Sequence, residues 1–142
     1  MCINYLRKYR KNKYSLEDTL ITKKYSEHNV LDSPYAKEMR EILDASEYEK
    51  AGVAIAVDLE QMDAHYHTTF DEIFFVLDGD MKFEFYDPET ENIWTVESSK
   101  DDLVVVKKGI HHKVLRASEH NRLFVVSIPP YHPDDENPSD KI

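Results

Sequence analysis

Two histidines set two residues apart, His65 and His67, are followed five positions later by Glu72 and, about forty positions after that, by His112. On an extended strand successive side chains alternate between faces, so the rings of His65 and His67 point to the same side. Glu72 lies beyond a short turn at the head of an apolar run, Glu72-Ile-Phe-Phe-Val-Leu77, and can present its carboxylate to the same interior from the neighbouring strand. His112 opens a later strand and joins the group only if a closed sheet brings distant segments together. Three imidazoles and a carboxylate suit one divalent transition metal ion, Fe(II), Mn(II), Co(II), Ni(II), Cu(II) or Zn(II), better than calcium. A buried Glu72 left ionised and unpaired would cost several kcal/mol, and a metal ion is the partner that removes this cost. A six-coordinate ion held this way keeps positions for water or substrate, which separates a catalytic metal site from a closed structural one.

Strand alternation extends the site. His111 competes with His112 for the fourth ligand position; spacing from Gly109 favours His112 and turns His111 outward or into the loop. If His112 faces inward, so do Val114 and Arg116, while Phe74 and Val76 share the face of Glu72. Arg116, Phe74 and Val114 are therefore the candidate substrate-binding residues. A guanidinium inside an apolar barrel suits a carboxylate or phosphate; the alternative is that Arg116 pairs with an internal acid such as Asp63 or lies at the rim. Tyr66 and Asp71 have the opposite parity and should face away. Phe83, Phe85 and Trp94 are expected to fill the core, because aromatic residues in strands usually pack, the alternative being that they line the pocket wall. The segment Pro129-Pro-Tyr-His-Pro133 is expected to pack on the outside. The other possibility is a lid that brings Tyr131 or His132 towards the metal.

The elements that must hold these residues are short strands. Nine runs rich in branched and aromatic residues stand between turn signals: 40–45, 52–59, 63–67, 72–77, 81–86, 93–96, 103–106, 112–116 and 122–128. No long stretch keeps a 3.6-residue period, and the spacing of the strands suits an all-β sandwich or barrel. Asp78-Gly79 reads as a hairpin turn of positive φ, and Asp87-Pro88 with Glu-Thr-Glu-Asn92 as a second hairpin loop. Ile128-Pro129-Pro130 ends the last strand, since proline cannot donate into a ladder. Before residue 39, Ser15-Leu-Glu-Asp offers a helix cap and Leu20–Lys24 an edge strand, neither long enough to decide.

The run His65-x-His67-x4-Glu72-x6-Gly79 resembles the first signature of the cupin superfamily. Asp101-x5-Lys107-x-Gly109-x2-His112-x3-Arg116 is similar to the second, matched fully at Gly109 and His112. Three turn positions depart from the pattern: Leu59 and Asp101 stand where glycine is usual, and Lys107 where proline is. Arg116 replaces a common asparagine. The resemblance covers residues 39–128. It implies a cupin-type double-stranded β-helix, a jelly-roll-like barrel with the metal at its centre held by His65, His67, Glu72 and His112. Residues 1–38 would then be an N-terminal extension, an edge strand or dimer arm, and residues 129–142 an acidic irregular tail. The resemblance also implies a homodimer, since barrels of this kind often bury sheet edges by pairing subunits. Dioxygenation, isomerisation, lyase chemistry and decarboxylation all occur on this fold, so a metal-dependent enzyme acting on a small anionic or sugar-like substrate is expected without a specified reaction. A non-catalytic cupin that binds or senses a small molecule is the alternative.

Composition sets the outer bounds. A chain of 142 residues, 41% hydrophobic and 32% charged, suits one domain able to bury its own core. Its net charge of −10 disfavours nucleic-acid binding, which needs a basic surface to release counterions. No apolar run approaches the ~20 residues of a membrane-spanning helix. Cys2 is the only cysteine, and the N-terminus lacks the apolar region of a signal peptide, so a cytoplasmic location is expected. The basic cluster Arg7–Lys13 and the acidic run Asp134–Asp140 read as solvated tails.

Overall fold

The computed structural model describes residues 19–142. Cys2, the basic cluster and the proposed cap at Ser15 lie outside them. Eleven strands follow in chain order: β1 (Asn29–Leu31), β2 (Ala36–Leu43), β3 (Gly52–Leu59), β4 (Met62–Tyr66), β5 (Asp71–Asp78), β6 (Asp80–Tyr86), β7 (Ile93–Ser99), β8 (Leu103–Val106), β9 (His111–Ala117), β10 (Arg122–Ile128) and β11 (Asn137–Pro138). They form two antiparallel sheets, β1-β2-β3-β10-β5-β8 and β11-β4-β9-β6-β7. The all-β jelly-roll expectation is met, and the interior between the sheets forms the core.

Alternation in the sequence becomes alternation in burial. Along β5, Glu72, Phe74 and Val76 are buried while Asp71, Ile73 and Phe75 are only partly so, and β6 buries Met81, Phe83 and Phe85 in the same way. Phe74 of one sheet stacks on Phe83 of the other, with centroids 5.6 Å apart and planes at 18°. Each such ring taken fully from water contributes about 1.5–3 kcal/mol. Val114 is buried beside them. Trp94 is not core: it sits on β7, an edge strand, opposite Phe85 and 42% exposed. A residue can face the interior yet stay wet when no further strand covers it.

Three further expectations change. Leu20–Lys24 forms no strand; β1 is instead Asn29–Leu31, paired with β2 of the same chain. The barrel also begins earlier than residue 39, since β2 starts at Ala36. Asp78-Gly79 does not close a hairpin, because β5 and β6 belong to different sheets. Gly79 (φ +80) is instead the corner between them. The loop at 118–121 presses so closely that a β-carbon there would stand 2.5 Å from the His120 carbonyl oxygen and 2.9 Å from Asn121 Cβ. Asp87–Asn92 does close the β6–β7 hairpin, with Asp87 N donating to Asn92 O at 3.0 Å.

The acidic tail is part of the fold. A short 3-10 turn, Pro133–Asp135, follows β10, and β11 then pairs with β4, setting Pro138 beside His65. Asp135 is buried and accepts from the backbone N–H and hydroxyl of both Thr68 and Thr69, at 2.6–3.0 Å. The expectation of an irregular tail fails because it was read from charge, and charge does not distinguish a solvated carboxylate from one that ties down a turn.

Candidate metal centre

His65 and His112 are direct partners across β4 and β9. His67 lies just past the end of β4, and Glu72 projects from β5 of the opposite sheet. Ring centroids of His65 and His112 are 4.4 Å apart, those of His65 and His67 5.0 Å, and those of His67 and His112 5.4 Å. One nitrogen from each of the three lies within 4.8 Å of the others, and all three residues are buried. Glu72 Oε2 stands 3.2 Å from His112 Nε2 and 3.6 Å from His67 Nε2. Of the two adjacent histidines, His112 joins the cluster. His111 points outward, stacked on Tyr66 at 4.2 Å with its Nδ1 2.6 Å from Ser139 Oγ.

The hydrogen bonds fix which nitrogen is free. His65 Nδ1 contacts the Asp63 carbonyl at 2.8 Å, His67 Nδ1 the Asp135 carbonyl at 2.7 Å, and His112 Nδ1 the Ile110 carbonyl at 3.1 Å. A carbonyl can only accept, so each Nδ1 carries a proton, and a ring in its neutral form then turns the Nε2 lone pair to the centre. The Nε2 atoms of His67 and His112 are buried and without a hydrogen-bond partner. Lone pairs facing the Glu72 carboxylate at these distances need a proton or a cation between them. Imidazoles anchored through Nδ1 with Nε2 left bare form the usual arrangement of metal-ligating histidines. The residues fit a divalent metal ion.

The electrostatics favour positive charge between Glu72 and the two histidines beside it. Burial acts to raise the Glu72 carboxyl, but its contacts with His112 and His67 outweigh it and hold it down at about 2. Burial and the neighbouring His112 lower His65. Burial also acts to lower His67, yet its contact with Glu72 wins and raises it.

The cluster opens onto a cavity of about 320 Å³ whose apolar lining includes Phe74, Leu123, Val125 and Met39 and whose polar lining includes Glu41, Tyr131 and Glu136. Tyr131 reaches the mouth, its ring 6.3 Å from that of His67 and its hydroxyl donating to Glu136 at 2.8 Å. Of the two residues, Tyr131 lies towards the cluster. His132 turns away, its Nδ1 accepting from Asp134 N.

Arg116 is not on this wall. Lys82 pairs with Arg116 and Phe83 with Val114, so Leu115 is one residue too many and β9 bulges there. Inward parity passes from His112 and Val114 to Ala117, which partners the buried Met81. Arg116 faces solvent, 55% exposed, bound to Asp80 at 3.2 Å and Glu97 at 2.9 Å. Sequence reading also missed Asp135, Glu136 and Glu41. The first two sit in an acidic run, and Glu41 falls in a strand whose facing depends on where it starts.

No protein-family model matches the sequence, and neither does any curated protein. Solved structures do match. A variant of oxalate decarboxylase from Bacillus subtilis superimposes with a TM-score of 0.69 at 13% identity, over 88% of this chain and 35% of that one. This chain thus spans about a third of that protein. Pac13 from Streptomyces, solved with uridine, gives 0.66 at 12% identity over 84% of this chain and 90% of its own. KdgF from Halomonas gives 0.64 at 14% identity over 78% and 96%. All are cupin-fold proteins. This chain has the cupin fold. Within this fold Asp101 adopts a left-handed backbone (φ 73), a region that aspartate tolerates better than most residues. Gly109 (φ +88) keeps its glycine and donates its N–H to the His67 carbonyl at 2.6 Å.

Proposed function

We propose that His65, His67, Glu72 and His112 hold one divalent transition metal ion, of Fe, Mn, Co, Ni, Cu or Zn, and that this cupin is a metal-dependent enzyme acting on a small organic molecule in the adjoining cavity. The observation that carries the reading is the pair of buried, unpartnered Nε2 atoms on rings whose Nδ1 atoms are engaged by carbonyls. When bound, the ion would supply Lewis acidity or, if redox-active, oxygen chemistry. The chain supplies the rest. Phe74, Leu123 and Val125 keep water from the substrate. Burial and the adjacent Glu136 push the Tyr131 phenol up, so it keeps its proton and can donate a hydrogen bond at the cavity mouth. Glu136 Oε1 lies 3.8 Å from His65 Nε2 and accepts that proton's bond through its other oxygen.

Two wider features belong to the same reading. A homodimer is supported by the apolar outer face of the larger sheet, where Phe124, Phe75 and Leu103 form one cross-strand row and Val126, Ile73 and Val105 the next. A reducing, cytoplasmic setting is supported by a single cysteine. Among the described residues no helix is long and apolar enough to cross a membrane.

Titration of metal-free protein with Co(II) tests the site. One equivalent should bind and give ligand-field bands, and His67→Ala and His112→Ala should each abolish them while the far-ultraviolet dichroism of the barrel persists. Uptake unchanged in both variants would overturn the reading.

A further inference from the structure

The cavity beside the metal centre carries carboxylates and no opposing cation. Glu41 alternates inward from β2, whereas its neighbour Arg40 is engaged elsewhere, bound to Glu38 and lying 3.9 Å over the Tyr25 ring. The Glu41 carboxylate, on a residue whose backbone lies in the β1-β2-β3 ladder, has no ion pair or hydrogen bond with the described residues to offset its partial burial. Glu136 lines the same space, supported by the Tyr131 hydroxyl but by no lysine or arginine. No lysine or arginine is found among the described lining residues, and the bulge at Leu115 has removed Arg116 to the outside. A divalent ion with Glu72 leaves one positive charge, which Glu41 and Glu136 more than offset. The rest of the wall is mixed: Asp32 and Asp44 add carboxylates, and Met39, Leu123 and Val125 belong to its apolar part. Such a cavity repels a carboxylate or phosphate tail and favours a positive one, because carboxylates lining a partly enclosed space are screened less than those in open water.

We propose that the ligand of this cavity is a small organic cation, an ammonium group on a short apolar skeleton, with the ammonium facing Glu41 and Glu136 and the other end at the His65, His67, Glu72 and His112 centre. The inference rests on the metal reading above and replaces the anionic substrate that Arg116 suggested.

Three thiols of equal length, 4-mercaptobutylamine, 4-mercapto-1-butanol and 4-mercaptobutyrate, can be titrated into the cobalt-loaded protein at low ionic strength, with the thiolate-to-cobalt charge-transfer band as readout. The amine should bind at least about tenfold more tightly than the carboxylate, with the alcohol between. Glu41→Gln and Glu136→Gln, each still loaded with cobalt, should narrow that gap and leave the alcohol unchanged. Equal or reversed ranking, an amine preference untouched by both substitutions, or no response to any thiol would overturn the inference while the metal reading stands. Failure to take up cobalt at all would overturn both.

Discussion

Asp135 positions His67 twice over. Its carbonyl accepts the Nδ1 proton of that ring, and its carboxylate binds Thr68 and Thr69, the two residues that follow it. Groups that orient a metal ligand typically change metal affinity about 10–100-fold when removed. Asp135→Ala keeps that backbone carbonyl but unties the segment carrying it from Thr68 and Thr69, so Co(II) binding should weaken, by about tenfold at the low end of that range, measured by competition with a chelator. Affinity equal to that of the parent would show that the tail only covers the site. The carboxyl also has a pH signature. Hydrogen bonds from Thr69 and Thr68 hold it below the usual carboxylate range. A carboxyl depressed by folding contributes stability that is present above its unfolded pKa and lost as pH falls towards the folded value. The acid limb of a melting-temperature profile should thus be shallower in Asp135→Asn than in the parent, and coincident limbs would contradict the assignment.

Between residues and molecule lie the corners and bulges, and here one glycine is decisive. Gly79→Ala would place a methyl against the His120 carbonyl and Asn121 in a left-handed backbone conformation, so a loss of about 2 kcal/mol or more is expected in urea unfolding. A loss of only a few tenths of a kcal/mol would mean that the corner relaxes freely. The same scale explains what could be read in advance. Most strand positions followed from alternation, and the spacing of His65, His67 and Glu72 placed them together because strands conserve parity. Arg116 failed for the same reason in reverse: one extra residue at Leu115 flips every side chain beyond it. Asp78-Gly79 carried a true positive-φ signal, yet a turn dipeptide does not say whether the next strand returns to the same sheet. Asp135 was out of reach because its partners, Thr68 and Thr69, lie some sixty-seven residues away and mark no periodicity.

For the molecule as a whole, the outer face of the larger sheet is the feature that no other element among the described residues covers. Leu103 is 57% and Val105 52% exposed, and they continue the rows begun by Phe124 and Val126. Stable dimers bury about 800 Å² per subunit, and an apolar sheet face is a natural place to find it. Sedimentation equilibrium should return a dimer, and Ile73→Lys should give a folded monomer, since an unpaired charge buried at such an interface costs several kcal/mol. A monomeric parent, or a dimer indifferent to the lysine, would argue against this face.

The metal centre is most directly tested by an anomalous difference map from crystals of the protein as purified, measured across the transition-metal edges. A single peak should lie about 2.0–2.3 Å from the Nε2 atoms of His65, His67 and His112 and from a Glu72 oxygen. Water or a hydrogen bond at those nitrogens, in protein supplied with metal and showing no anomalous peak there, would contradict it.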